Sequence, residues 1–189
     1  MILTNQQTAE LVEECGMISN YVPEKVSEVN GNRVMSFGQA GAAYDYRLGE
    51  DVRVMTYEQV AGIEAADIAA ITPPSNWFRD FDGRRHLRLP PFSYALATTV
   101  EAWKLPLDVM VINHGKSSYA RLGLLYSIPP FDPGWEGVPT ITLHNPTSAA
   151  IRLYIGEGIA TAVHHRLAQR VAPYSGKYQG QPNAVTFSR

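Results

Sequence analysis

The chain has 189 residues, 45% hydrophobic and 18% charged, with a formal net charge of −2. A single domain of this length buries about 70% of its unfolded surface, and the slightly acidic balance lacks the basic excess of a nucleic-acid binder. Cys15 is the only cysteine, which excludes an internal disulfide framework and a cysteine-rich zinc site, and neither a membrane span nor a secretion signal is legible, so a cytoplasmic protein without membrane or nucleic-acid partners is expected.

The first element is a helix. Thr4 and Gln7 have the T-x-x-Q spacing of a capping box, and Gly16 stands where a helix would stop. Ala9, Leu11, Val12 and Cys15 would supply its buried stripe. After Asn30-Gly31-Asn32 the pattern turns to short apolar or alternating runs. These are "AAYDYRLG", "DVRVMT", "HLRLP", "SYALATTVEAW", "DVMVIN", "LLYSI", "TITLHN", "IRLYIG" and "IATAVHHRL", separated by Gly, Pro and Asn. Many short strands punctuated this way predict a mainly β sandwich or barrel. Residues 62–85 fit the rhythm badly and read as an excursion with a short helical turn, while the Gly-, Gln- and Ser-rich end, 173–189, reads as a mobile tail.

One stretch, "HGKSSYARLGL", carries chemistry. Gly115 frees the backbone to turn, Lys116 offers a point charge, and Ser117 and Ser118 offer hydroxyls where a short helix should begin. Backbone N–H groups at such a start suit an anion, and Arg121, one turn after Ser117, can share that face. An N-capped helix with solvated charges accounts for the same residues, and the stretch alone leaves both open.

Five segments in order widen the view: "AYDYRLG" (43–49), "LPPFSYALATTVE" (89–101), "GKSSYARLGL" (115–124), "FDPGWEG" (131–137) and "YSGKYQGQ" (174–181). From about Thr4 onward the chain resembles the dCTP deaminase branch of the dCTP deaminase/dUTPase family. The resemblance implies a distorted β-barrel or jelly-roll-like core, with an N-terminal helix and a short helix after the GKSS motif. It also implies a homotrimer with sites between subunits and a tail that closes over the nucleotide. Ser117 and Arg121 match the family's phosphate-binding and catalytic Ser and Arg; Lys116, beside Ser118, stands where many relatives have Arg. Asp132 matches the Asp of the third motif, and Trp135 the aromatic beside the deoxyribose. Tyr174, Lys177 and Gln181 match tail residues around the triphosphate, and Asp45 a first-motif Asp with a partly structural role. The partner implied is a deoxynucleoside triphosphate, dUTP or dCTP, with Mg²⁺ bound through its phosphates and no protein-only metal site.

The chain departs from the deaminases at one position. The strand after "GWEG" should carry a Glu that moves protons as water attacks C4 of cytosine, and here that position is Thr142. A Thr hydroxyl is no useful acid or base near neutral pH, and losing a positioned proton shuttle removes roughly 10²–10⁴ in rate. His144, two residues on and on the same strand face, is the candidate substitute. His114 is a weaker one. The resemblance implies that the family's hydrolase branch, the dUTPases, needs no such Glu: there a third-motif Asp, matched here by Asp132, orients water for attack on the α-phosphorus. The sequence thus leads to hydrolysis of dUTP, or a related dNTP, to the monophosphate and pyrophosphate. Its alternatives are dCTP deamination with a displaced shuttle or a modified cytosine, and a catalytically silent nucleotide-binding trimer.

Overall fold

A computed structural model describes residues 1–56, 77–79 and 83–185. Helix α1 spans Asn5–Cys15. Thr4 is extended before it, and its hydroxyl accepts the Gln7 N–H at 3.3 Å while Gln7 Oε1 accepts the Thr4 N–H at 3.0 Å. Both halves of the capping box are therefore made, and Gly16, at φ 68, closes the other end. Of the expected stripe, Leu11 and Val12 pack half-buried against the core and Ala9 is half-buried. Thr8 is the helix's fully buried residue, and Cys15 is exposed, its thiol turned onto the Leu11 carbonyl at 3.0 Å.

The strands are β1 (Val26–Val29), β2 (Asn32–Gln39), β3 (Tyr44–Thr56), β4 (Trp77–Arg79), β5 (Arg85–Leu89), β6 (Ser93–Thr99), β7 (Trp103–Lys104), β8 (Val109–Gly115), β9 (Leu125–Ser127), β10 (Glu136–Gly137), β11 (Ile141–Asn145), β12 (Ile151–Tyr154) and β13 (Gly158–Arg166). A second, single-turn helix, α2, spans Ser117–Ala120 after the GKSS stretch. The chain is mainly β with an N-terminal helix, in agreement with the sequence reading. No helix among the described residues is long and apolar enough to cross a membrane.

One sheet runs β1-β2-β3-β6-β11-β9, with β13 also paired to β3 and β8 to β13. Its pairs are antiparallel. Smaller sheets pair β10 with β7, and β12 with β5 and β4. β3 is what joins the halves. Its first part pairs with β2 and β13, its second with β6, and the register shifts between Leu48 and Val52. A Cβ on Gly49 would lie 2.5 Å from Thr98 Oγ1, so the crossing tolerates only glycine there. This irregularity is why the sequence reads as two strands where the structure has one.

Inward-facing residues alternate along each strand. Tyr44, Tyr46 and Leu48 of β3, Ala95 and Ala97 of β6, Val109 and Val111 of β8, and Ile141 and Leu143 of β11 meet in one core. Most of the 62–85 excursion lies outside the described residues. Within it β4 pairs with β5, with Trp77 opposite Leu87.

Candidate functional site

β8 delivers the GKSS loop. It lies against β13 over its whole length, Val109 opposite Arg166 to Gly115 opposite Ala160. At its end the Tyr126 ring packs so closely that a Cβ on Gly115 would stand 2.1 Å from it. α2 then makes one turn, with Ala120 N–H donated to Lys116 O at 3.0 Å and Arg121 N–H to Ser117 O at 3.1 Å. Buried Tyr119 nails that turn to the body, its hydroxyl accepting the Tyr154 N–H at 3.4 Å. Ser117, Ser118 and Arg121 remain exposed around it.

Lys116 is unlike its neighbours. It is 9% exposed, and its ammonium is engaged with the Asp45 carboxylate and with Ser36 Oγ at 3.1 Å. The cation expected beside the phosphates is inside the protomer, on the first-motif Asp.

Asp132 is carried by a rigid turn. Phe131 exchanges two backbone hydrogen bonds with Val111, both 3.0 Å, and Trp135 N–H closes the turn onto Asp132 O at 3.0 Å. Gly134 takes φ 76, and its N–H reaches Leu105 O at 3.1 Å. The Asp132 carboxylate is exposed at the tip, whereas Trp135 is only 6% exposed, its ring against Phe131. Val111 and Gly115 stand four residues apart on β8, so the Asp132 turn and the α2 loop are separated by about 13 Å along the strand.

Over 174–181 the tail lies against the Asp132 turn. Tyr174 N–H donates to Pro133 O at 2.9 Å, and the Trp135 indole N–H to Tyr178 O at 2.8 Å. The Gln179 amide clamps the turn from both sides, accepting the Glu136 N–H at 3.0 Å and donating to Gly134 O at 2.9 Å. Gly180 N–H then reaches Glu136 O, and Val138 N–H reaches Gln181 O, both at 2.9 Å. A parallel bridge forms between Gly137 and Gln181, and the Gln181 amide donates to Thr140 Oγ1 at 2.5 Å. Lys177 is exposed above the Tyr178 ring, 5.0 Å from its centroid. Of the expected tail, residues 186–189 lie outside the described residues.

β11 supplies the remaining side chains. Ile141, Leu143 and Asn145 point inward, and half-buried Thr142 and His144 point outward. Thr142 stands between Leu96 of β6 and Ser127 of β9; His144 stands between Tyr94 and Leu125. The His144 and Tyr94 rings stack at 5.7 Å, and burial lowers the His144 pKa from its ordinary value. This outer face forms a strip. Gln181 and Thr140 mark one end, Thr142 the middle, and His144 the end nearest α2, where a Cβ on Gly123 would touch Thr147 at 2.5 Å.

Sequence reasoning missed Ser36, Thr161, Thr140 and Gln179. The first two lie on strands far along the chain, with no local signature. Gln179 sat within a quoted motif but had no role assigned. His164 and His165, which carried no metal signature, are one buried and one half-buried on β13.

A family model described as "dCTP deaminase-like" matches residues 2–167. The dCTP deaminase of Acidovorax sp. (strain JS42) is 32% identical over 196 aligned positions, which cover 100% of this chain and 98% of the relative. That of Acidithiobacillus ferrooxidans (strain ATCC 53993 / BNL-5-31) is 34% identical with the same coverage. The crystal structure of 2'-deoxycytidine 5'-triphosphate deaminase from Agrobacterium tumefaciens superposes with a TM-score of 0.58 at 15% identity. That match covers 87% of this chain and 48% of the other, so the chain spans about half that protein's length and the likeness speaks for the fold.

Proposed function

The chain belongs to the dCTP deaminase-like family, and from that premise we propose that it binds a pyrimidine deoxynucleoside triphosphate and hydrolyses dUTP to dUMP and pyrophosphate. The observation that carries this choice is the outer face of β11. Its middle residue is Thr142, flanked by Leu96 and Ser127, so neither it nor its in-register neighbours supply the carboxylate that deamination needs. The Asp132 carboxylate, by contrast, is exposed on a turn fixed by backbone hydrogen bonds.

In this reading Asp132 accepts a hydrogen bond from a water and aligns it with the α-phosphorus. The water oxygen bonds to phosphorus, the bond to the bridging oxygen breaks, and that electron pair leaves with pyrophosphate. Ser117, Ser118, Arg121 and Lys177 hold the phosphates, and Trp135 with Tyr174 backs the sugar through the docked tail. No group of three or more His, Cys, Asp or Glu among the described residues is arranged to hold a metal ion. Mg²⁺ would arrive on the nucleotide, bound through its phosphates. There the ion would neutralise charge on the phosphate oxygens.

The chain also acts as a homotrimer in this proposal. The α2 loop and the Asp132 turn lie about 13 Å apart on one protomer, and Leu122 and Leu125, 57% and 56% exposed, flank the loop. A neighbouring copy would cover those leucines and complete the site. Sedimentation velocity checks this: a monomer at micromolar concentration refutes it.

A second reading is deamination of dCTP, water adding at C4 and ammonia leaving, with His144 as the displaced base. It is favoured by the full-length similarity to proteins named dCTP deaminase. The lowered pKa keeps His144 a neutral base at pH 7. Ion-exchange analysis after incubation with Mg²⁺ and dUTP, then dCTP, separates the readings. Formation of dUMP and pyrophosphate from dUTP supports the first, dUTP from dCTP supports the second, and no product with bound nucleotide leaves a regulatory binder.

A further inference from the structure

We propose that Lys116 and Asp45 are positioning residues for the phosphate loop, and that the Lys116 ammonium does not itself take a phosphate. The inference rests on the nucleotide-binding reading above and deepens it.

α2 has only four residues and no side-chain hydrogen bond at its N-cap, too little to hold itself in water. Its geometry must come from anchors. Tyr119 is one, on the β12 side. Lys116 is the other. Its backbone N–H reaches Ile159 O of β13 at 3.4 Å, and its side chain passes across β13 to Asp45 on β3 and Ser36 on β2. Asp45 is in turn fixed by the Thr161 hydroxyl at 2.6 Å, with Thr161 opposite both Asp45 and His114 in the sheet register. One lysine thereby ties β2, β3 and β13 to the residue that immediately precedes Ser117.

Charge decides which task Lys116 performs. The Lys116 and Asp45 side chains are 10% and 8% exposed. Drawing the ammonium out to a phosphate would leave a buried carboxylate facing, among the described residues, Thr161 and the more distant Lys25, 3.9 Å away and 53% exposed. Breaking a buried pair from one side is among the costlier changes a fold can suffer. Ser117, Ser118 and Arg121, all exposed, are the groups that meet the phosphates, and the buried cluster sets where they stand.

The test is calorimetric titration of dUTP and dUMP, with Mg²⁺, into the wild type, Asp45→Asn, Lys116→Met, the double variant and Ser36→Ala. Positioning predicts that Asp45→Asn and Lys116→Met each weaken dUTP binding about tenfold while dUMP binding changes less. The double variant should be no worse than the weaker single, since both break one coupled unit. Ser36→Ala, which leaves no charge unpaired, should lose about threefold in the wild-type background and nothing further in the double variant. If Lys116 contacts phosphate directly, Asp45→Asn releases it and dUTP binds as well as before or better while Lys116→Met weakens it. That result overturns the proposal. Should the charged variants fail to fold, Ser36→Ala decides alone: unchanged dUTP affinity overturns it. If the wild type binds neither dUTP nor dCTP, the functional reading fails instead. Amide exchange over 117–121 then still judges the anchor, faster in Ser36→Ala if it holds the loop and unchanged if it does not.

Discussion

His164 offers a quantitative handle on the sheet that carries the loop. It sits on β13 opposite Val111, 1% exposed, and the N-terminal segment covers it where Leu3 N–H meets His164 O at 2.9 Å. Its Nε2 is buried without a hydrogen-bond partner among the described residues. Burial, and secondarily the charge of His165, lowers its pKa from the ordinary 6.5 to about 4. The folded state therefore binds fewer protons than the unfolded state between those values. Stability is fully present above pH 6.5 and is lost as pH falls toward 4, because the unfolded chain takes up the proton first. Linkage of these two values gives a loss on the order of 1 to 2 kcal/mol between pH 5.5 and pH 5. Urea denaturation of the wild type and His164→Leu at pH 7.5, 6.5, 5.5 and 5.0 measures it. The wild type should lose that amount more than the variant over the range, since the carboxylates titrate in both. Parallel stability curves for the two proteins would refute the argument.

Other perturbations address the site. Asp132→Asn should lower dUTP hydrolysis roughly 10²-fold or more with dUTP affinity retained, as read by initial rates and titration; full activity would remove Asp132 from the reaction. Thr142→Glu puts a carboxylate between Leu96 and Ser127 and should raise dCTP deamination by roughly 10²–10⁴, followed as ammonia release. No gain there would mean that the middle of the strip is not where the base reacts. Gln179→Ala removes both clamps on the third-motif turn, worth about 2 kcal/mol together. Tryptic cleavage after Lys177 should accelerate accordingly, and an unchanged rate would show that the tail is held by other contacts.

Local signals were the legible ones. Thr4, Gln7 and Gly16 announced both ends of α1, because capping is settled within three residues. The Asn30-Gly31 turn, with φ of 50 and 78, joins β1 and β2 as a two-residue hairpin with Val29 opposite Asn32. That signal was present in the sequence, but the flanking strands alternate too weakly to be recognised. The site was legible as an order of motifs and illegible as contacts. Lys116 reads as a phosphate ligand from its motif alone, and only the fold shows its contact with Asp45, 71 residues away. The tail reads as mobile from its composition. Composition cannot show that Gln179 and Gln181 find backbone partners on a turn 43 to 45 residues earlier.

The docked tail and Thr142 have separable consequences for any reaction on this strip. Gln181 seats on Thr140 through its amide and on Val138 through its carbonyl, and Thr142 follows one pleat later, about 7 Å on. A nucleotide lying along the outer face of β11 meets the tail at one end whichever bond is to be broken. Weakening the tail should then change KM for dUTP and dCTP together. On the proposed reading Thr142 faces the base and Asp132 the α-phosphate, so changing either should alter the product and leave that shared KM shift alone. A tail variant that changed the product, or a Thr142 variant that merely weakened both nucleotides equally, would contradict this division.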